Sequence, residues 1–240
     1  MFKRPHHQRV SRILGALNGP LLTEAACYFG GGTAIVLLLD EYRESVDVDL
    51  LCASHEGYRT LRNAVNENSL GPLLTHALPL ARAVRSDRYG IRTFLMVDDV
   101  PIKFEIVRED RIPLQAQPYP GIPVATLCQV DMFAEKLLAN TDRWADRSTT
   151  SRDIIDLAMM IHHWGPIPQS AWLKVDDAYG ASARRAIAKA QELLADEVYL
   201  AECLRKMGMD ARWAPDIRLA LLACETMPNS NSNDPHQVTR

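Results

Sequence analysis

The sequence predicts an α/β domain with a mixed β-sheet and flanking helices over residues 1–123, followed by a C-terminal α-helical domain over residues 124–227. The first observation is the two-residue alternation of apolar and polar side chains in residues 46–50 and 100–107, which is typical of half-buried strands. The second is the helical spacing of apolar residues in the second half. The proline-rich residues 115–123 separate the two patterns and indicate a connector.

Length and composition are those of an ordinary globular protein. The 240 residues can bury a core, and 47% apolar with 24% charged residues is unlike a disordered or fibrous chain. A net charge of −3 argues against a strongly basic nucleic-acid-binding protein but leaves room for a local basic patch. One such patch precedes Glu24, the first acidic residue, and either belongs to an exposed first helix or contacts a phosphate-rich substrate. Its basic residues are Lys3, Arg4, Arg9 and Arg12.

The cysteines and the apolar runs indicate the cellular compartment of the protein. Five scattered cysteines without a CxxC spacing favour neither a disulfide framework nor a zinc knuckle. Apolar runs such as residues 34–39 are far shorter than a membrane-spanning helix, and no apolar signal region follows the basic start. We therefore predict a cytoplasmic protein without a membrane partner.

The first predicted unit is a strand, a glycine loop and a helix. The strand ends at residues 27–29, three glycines follow, and an aliphatic helix runs from Thr33 to Glu41. Glycine allows the backbone to approach a ligand closely, and N–H groups at a helix start bind anions. With the Thr33 hydroxyl as a further donor, the loop is a candidate phosphate site. A purely structural glycine loop is the alternative.

An acidic pair lies on the next predicted strand. Asp47 and Asp49 alternate with Val46, Val48 and Leu50, so their side chains share one face, with bases about 6.5 to 7 Å apart. Carboxylates this close repel each other unless a hard cation such as Mg²⁺ binds them. The pair is therefore predicted to bind a catalytic metal.

A third carboxylate is expected from the β region at residues 83–107, which ends in a predicted hairpin. Glu105 lies on the polar face of its last strand. Three carboxylates from two strands can hold two metal ions, one activating an attacking hydroxyl and the other neutralising a leaving pyrophosphate. Asp98 and Asp99 compete for this role, although their adjacency favours solvated turn residues.

Four arginines lie close together ahead of this hairpin, whose arms are predicted at residues 94–97 and 100–107. They form either a basic rim for nucleic acid or triphosphate, or a solvated strand face, and the sequence leaves both interpretations open. The four are Arg82, Arg85, Arg88 and Arg92.

The second half of the chain is predicted to be helical. Candidate helices lie at residues 127–144, 151–164, 169–177, 181–195, 198–207 and 214–226. Residues 228–240 are rich in asparagine, serine and proline, which is typical of a disordered tail.

Two segments of the first half resemble a known signature. Residues 31–34 and 43–50 are similar to the GGTA and RxSxDhDL motifs of AbiEii/AbiGii-type toxins, which belong to the nucleotidyltransferase superfamily. The resemblance implies an N-terminal nucleotidyltransferase domain in which the glycine motif binds the phosphates of an NTP and the DxD pair binds Mg²⁺. Ser45 would lie beside the phosphates. The motif residues are Gly31, Gly32, Thr33, Asp47 and Asp49.

The resemblance continues into the helical half. Family members carry a lysine on one helix and an RDxxDL-like motif on the next, and here these are Lys136 and residues 152–157. It implies that Lys136 binds phosphate and that Asp153 or Asp156 serves as a base or positions the acceptor. The residues also permit a capping role for Asp153 and an i, i+4 pair between Arg152 and Asp156.

The leading functional hypothesis is Mg²⁺-dependent transfer of a nucleotidyl group from an NTP to an acceptor hydroxyl, in a cleft between the two domains. Asp47, Asp49 and Glu105 would hold the metal, and Lys136 would bind the triphosphate. The resemblance further implies a toxin acting on RNA, such as the 3′ end of tRNA, with a cognate antitoxin as partner. The alternatives are a small-molecule acceptor such as an aminoglycoside, a protein hydroxyl, or a non-catalytic nucleotide-binding interaction protein.

Overall fold

The computed structural model describes residues 2–222 and 224. In this part of the chain the strands are β1 Cys27–Gly30, β2 Val48–Cys52, β3 Leu80–Ser86, β4 Gly90–Val97, β5 Val100–Arg108, β6 Ala116–Tyr119 and β7 Ile122–Leu127. The α-helices are α1 Pro5–Ala16, α2 Gly19–Glu24, α3 Gly31–Leu38, α4 His55–Ala64, α5 Gln129–Arg143, α6 Arg152–Trp164, α7 Gln169–Tyr179, α8 Ser182–Leu194, α9 Glu197–Lys206 and α10 Ala214–Leu222.

The strands form one sheet in the order β3-β4-β5-β2-β1-β7-β6. Neighbouring strands run antiparallel except for β2 with β5 and β1 with β7, which are parallel. The predicted mixed sheet with accompanying helices is therefore confirmed. Within residues 2–222, no helix is long and apolar enough to cross a membrane.

The β4–β5 hairpin has the expected two-residue alternation. Ile91 on β4 and Phe104 and Ile106 on β5 are fully buried, whereas the side chains between them point to the opposite face. The turn residues Asp98 and Asp99 have positive φ angles of 50° and 58°, as a type I′ hairpin turn requires. The predicted hairpin and its turn are confirmed.

Residues 115–123 were predicted to be a connector, and this is wrong, because most of them form a hairpin. β6 and β7 pair antiparallel around Gly121, whose φ of 81° suits a tight turn. The prolines obscure the strand in the sequence, but Pro118 lies on the edge strand β6, where a missing N–H can face away from the sheet. β7 also pairs with β1 and crosses the boundary expected at residues 123–124, so the sheet extends to Leu127.

The second half is helical, as predicted, and α5 to α10 lie close to the expected spans. α5 and α6 pack together and bury side chains such as Leu137 and Leu157. Both helices also contact α3, which begins at the glycine turn. This packing brings α5 and α6 to the end of the sheet where that turn lies. The tail expected to be disordered, residues 228–240, lies outside the described residues.

Candidate active site

A cavity of about 480 Å³ is lined mainly by the β1–α3 turn, residues 43–51, strand β5 and helix α5. Eight of the ten predicted site residues line it. The other two, Asp153 and Asp156, are hydrogen-bonded to residues of its wall. The eight lining residues are Gly31, Gly32, Thr33, Ser45, Asp47, Asp49, Glu105 and Lys136.

The β1–α3 turn requires glycine at two consecutive positions. Gly31 has a φ of +68°, in the left-handed region, and a Cβ there would lie 2.8 Å from Oδ2 of Asp49. A Cβ at Gly32 would lie 2.5 Å from Nη2 of Arg43. The missing side chains therefore let the backbone approach a carboxylate and a guanidinium together. The first turn of α3, with its unpaired N–H groups, faces the cavity.

Two hydroxyls extend this turn, and a buried histidine holds one of them in place. Thr33 and Ser45 are hydrogen-bonded through their hydroxyls at 2.8 Å. The backbone N–H of Ser45 donates to Nε2 of His7 at 3.1 Å, so the proton of the neutral ring is on Nδ1, which lies 2.8 Å from Glu41. Burial lowers the pKa of His7, which favours this neutral form. The segment before β2 is thereby anchored to α1.

We expect Gly31→Ala to weaken the binding of the two predicted ligands, Mg²⁺ and NTP, more than Gly121→Ala does. Both glycines have a positive φ, so alanine carries the same backbone cost of about 1–2 kcal/mol at either position. A Cβ at Gly121 meets no atom within 4 Å, whereas at Gly31 it displaces the carboxylate of Asp49. Such a shift should weaken binding at least about tenfold. Calorimetric titration with a non-reactive NTP analogue measures this, and equal affinities in the two variants would contradict it.

Two carboxylates face the cavity without a partner. β2 begins at Val48, so Asp47 immediately precedes the strand instead of lying on it, and Asp49 is the second residue of β2. Within residues 2–222 and 224, neither carboxylate forms a hydrogen bond or an ion pair. Burial, and then the charge of Asp47, raise the pKa of Asp49 to about 6. The arrangement fits a divalent cation bound by both aspartates, because such a cation offsets their repulsion.

Glu105 occupies its predicted position but is already paired. It lies opposite Asp49 in the parallel β2–β5 register. Arg92 Nε and Lys103 Nζ each donate to it at 2.5 Å. Burial opposes ionisation, yet these hydrogen bonds keep the pKa of Glu105 below its usual range. No group of three or more His, Cys, Asp or Glu side chains in the described residues is arranged to hold a metal, so the third-ligand role of Glu105 stays a prediction.

Two cations of the cavity wall, Arg43 and Lys136, are held by buried aspartates. Asp156 is fully buried and accepts hydrogen bonds from Nε and Nη2 of Arg43, at 2.7 and 2.8 Å. The hydroxyl of Tyr42 donates to the same carboxylate at 2.6 Å. Nζ of Lys136 lies 2.7 Å from Oδ2 of Asp156 and 3.0 Å from Oδ1 of Asp153. Both cations are thus fixed beside the glycine turn.

The two buried aspartates are surrounded by positive charge. Arg143 adds a further contact to Asp153, with its Nε at 2.6 Å. Burial opposes ionisation, but the neighbouring cations keep the pKa of Asp153 and Asp156 below the usual range, so both are ionised with their oxygens occupied. This geometry suits the positioning of Arg43 and Lys136. A role of either aspartate as a base stays a prediction.

Much of the cationic wall is not predicted by the sequence patterns, since Arg43, Lys103 and Arg143 also line the cavity. Arg43 is part of the RxSxDhDL motif, but its partner Asp156 lies 113 residues away, so no local pattern indicates the pair. The alternative i, i+4 pair between Arg152 and Asp156 is not formed, because Asp156 pairs with Arg43 and Lys136 instead.

Glu135 forms another part of the cavity wall. Its Oε1 atom is buried and has no hydrogen-bond partner among the described residues, while Oε2 lies 3.4 Å from Arg111. Arg111 is bound more closely by Glu109, at 2.6 Å. Burial, followed by the negative charge of Glu109, raises the pKa of Glu135 well above its usual range. The folded chain therefore favours the protonated form of Glu135.

We expect Glu135 to make the folded state less stable as the pH rises above 4.5, the ordinary pKa of this side chain. The folded chain holds this proton more tightly than the unfolded chain, so deprotonation costs stability, at about 1.4 kcal/mol per unit of raised pKa. Glu135→Gln should remove this decrease, whereas Glu24→Gln, at an exposed position, should not. Urea denaturation between about pH 5 and pH 8 tests this. Identical pH profiles of wild type and Glu135→Gln would contradict it.

Most of the chain matches the model of one protein family. Residues 12–229 match the family described as "Nucleotidyl transferase AbiEii toxin, Type IV TA system". Among solved structures, the chain is similar to a proposed nucleotidyltransferase from H. pylori, with a TM-score of 0.51 and 15% identity, over 91% of this chain and 93% of that one. It is also similar to JHP933 from Helicobacter pylori, with a TM-score of 0.51 and 13% identity, over 93% and 94% of the two chains. These two likenesses support the fold alone. No curated protein matches.

Proposed function

The chain belongs to the AbiEii family of nucleotidyltransferase toxins, and from this premise we propose that it transfers a nucleotidyl group from an NTP to an acceptor hydroxyl, with Mg²⁺ held by Asp47 and Asp49. The acceptor oxygen attacks the α-phosphorus, the bond from this phosphorus to the bridging oxygen breaks, and pyrophosphate leaves. The acceptor proton passes to a base or to solvent. When bound, the metal supplies Lewis acidity that activates the hydroxyl and offsets the negative charge of the leaving group.

The observation that carries this proposal is the meeting of two unpaired aspartates with a left-handed glycine turn in one cavity. The N–H groups at the start of α3 bind phosphate oxygens, and the hydroxyls of Thr33 and Ser45 extend that site. Lys136 lies beside it, because a Cβ on Gly32 would be only 3.6 Å from its Nζ. In this proposal Glu105 also binds the metal ion, and its ion pairs with Arg92 and Lys103 are broken when it does so.

We further propose that the acceptor is RNA, with the 3′ end of tRNA as the leading candidate, in the cytoplasm and under the control of a cognate antitoxin. The support is the family, which is described as a toxin of a type IV system. A small molecule such as an aminoglycoside, or a protein hydroxyl, is the second candidate, because a net charge of −3 does not favour a polyanion. A non-catalytic nucleotide-binding protein is the candidate of another class, and the intact aspartate pair argues against it.

The test offers each NTP, labelled at the α-phosphate, together with Mg²⁺ and one of three acceptors: total tRNA, an aminoglycoside panel or cell protein. We expect label on RNA alone, at a 3′ end, and no transfer when EDTA replaces Mg²⁺. Label found only on a drug or only on protein would contradict RNA as the acceptor, but it would still support nucleotidyl transfer as the activity. No transfer to any acceptor, by protein that binds NTP, would support the non-catalytic candidate.

A further inference from the structure

The edge of the sheet formed by β3 and β4 carries basic and aromatic side chains that do not belong to the proposed nucleotide site. On β3 and β4, Arg82 lies opposite Phe94, and Arg85 lies opposite Arg92. Directly opposite residues of an antiparallel pair share a face. Residues three apart on a regular strand would point to opposite faces, but a register shift between Arg82 and Arg85 brings both to the same one.

This face is continuous with the metal site. Arg92 lies opposite Glu105 on β5, and Glu105 lies opposite Asp49 on β2. A row of side chains on one face therefore crosses four adjacent strands. At about 4.8 Å per strand, it extends about 14 Å from Asp49 to Arg85 at the edge of the sheet. An elongated ligand on this row would have one end at the reacting centre and the other in solvent.

The arginines of the outer strand and its turn carry uncompensated charge. Arg82, Arg85 and Arg88 are exposed, and within residues 2–222 and 224 none of them pairs with a carboxylate. The basic N-terminus differs, because its charges are largely paired; for example, Arg12 lies 2.7 Å from Asp98. Of the two basic clusters in the sequence, the one on β3 is therefore the better site for phosphate groups.

Two of these arginines lie over aromatic rings. The guanidinium carbon of Arg82 is 4.5 Å from the ring centroid of Phe94, and that of Arg88 is 4.5 Å from the ring of Tyr89. Tyr89 is 57% exposed. Proteins bind single-stranded nucleic acid by combining a cationic track for the backbone with aromatic rings and guanidinium planes on which bases stack. Both components are present at the β3–β4 edge of the sheet.

We propose that this arginine face, formed by Arg82, Arg85 and Phe94 together with Arg88 and Tyr89 of the adjoining β3–β4 turn, binds the single-stranded end of an RNA acceptor and leads its terminal hydroxyl towards Asp49. The inference rests on the proposed transfer to RNA and deepens it. β3 is an edge strand, to which a protein strand could also add. Charged side chains on an edge discourage such pairing, whereas unpaired cations attract a polyanion.

Binding of a labelled single-stranded oligoribonucleotide to the full chain, followed by fluorescence anisotropy in EDTA without NTP, tests this surface. We expect Arg82→Ala/Arg85→Ala to weaken binding at least about tenfold, and to reduce the dependence of log K on log salt by about 1.4, because two phosphate contacts are lost. Tyr89→Ala should weaken binding at least about fivefold through lost stacking. The matched control, Arg185→Ala/Arg205→Ala, removes two exposed arginines of the helical half and should bind like wild type.

Each further outcome has a defined meaning. Unchanged RNA affinity in the Arg82→Ala/Arg85→Ala variant would overturn the proposal, as would tighter binding of DNA of the same sequence. Loss of a protein partner, with RNA affinity retained, would assign the face to protein docking and would also overturn it. The Asp47→Asn variant should bind RNA like wild type although it transfers no nucleotide. Loss of RNA binding can therefore be distinguished from loss of the transfer reaction. Arginine-dependent binding without any transfer would keep this surface and refute the proposed function.

Discussion

Asp47→Asn should abolish nucleotidyl transfer and leave the fold intact. Asparagine keeps the shape of the side chain but removes one of the two carboxylates that can bind a divalent cation. Metal catalysis contributes several kcal/mol of transition-state stabilisation, so the rate should fall at least about a thousandfold. The free energy of unfolding should not decrease, because Asp47 has no hydrogen bond or ion pair to lose among the described residues. Single-turnover transfer and urea denaturation measure the two effects.

The matched control for this variant is Asp99→Asn in the β4–β5 turn. The side chain is exposed, and asparagine tolerates its positive φ of 58°. It removes the same charge at a distance from the cavity and should leave the rate unchanged. If Asp47→Asn and Asp99→Asn were equally active, the aspartate pair would not be the metal site.

Asp156→Asn should lower the free energy of unfolding more than Asp47→Asn, Asp153→Asn or Asp177→Asn does. It leaves the side chains of Arg43 and Lys136, each only 6% exposed, without the charge that both contact. Removal of one member of a buried ion pair costs about 3–5 kcal/mol. Because Arg43 and Lys136 lose their fixed orientation at the cavity, the KM for NTP should also rise. Urea denaturation and steady-state kinetics measure the two effects.

Two comparisons make this expectation specific. Asp153→Asn should cost less, because its partner Arg143 is 37% exposed and can be solvated when the charge is lost, while its buried partner Lys136 keeps its contact with Asp156. Asp177→Asn, at an exposed position of α7, should have almost no effect. A loss below about 1 kcal/mol in Asp156→Asn would show that the buried cations are solvated or relocated, and would contradict the positioning role.

Local patterns were sufficient to predict the strand that carries Asp49 and the strand that carries Glu105, although Asp47 lies just before its strand. The alternation around Asp49 and around Glu105 assigned each carboxylate to the polar side of a strand. The parallel register then places the two opposite each other, as the hypothesis of a shared site required. Strand periodicity could not show that Glu105 would be paired with Arg92 and Lys103, because those contacts depend on side-chain conformations across and along strands.

Long-range partners and proline-containing strands could not be predicted in this way. The pairing of Arg43 with Asp156 joins a segment before β2 to the middle of α6, and nothing in the local spacing of either indicates it. Pro118 hid the β6–β7 hairpin, since proline usually marks a break and only its place at the sheet edge makes a strand possible. Both errors concern tertiary position, which propensity and periodicity do not describe.

The contact between Arg43 and Asp156 also has a consequence during synthesis. While the ribosome has released only the sheet and α5, the guanidinium beside the glycine turn lacks its carboxylate, and Lys136 lacks both of its own. This wall of the cavity, with both cations held by their carboxylates, can therefore be completed only after more than half of the chain has emerged.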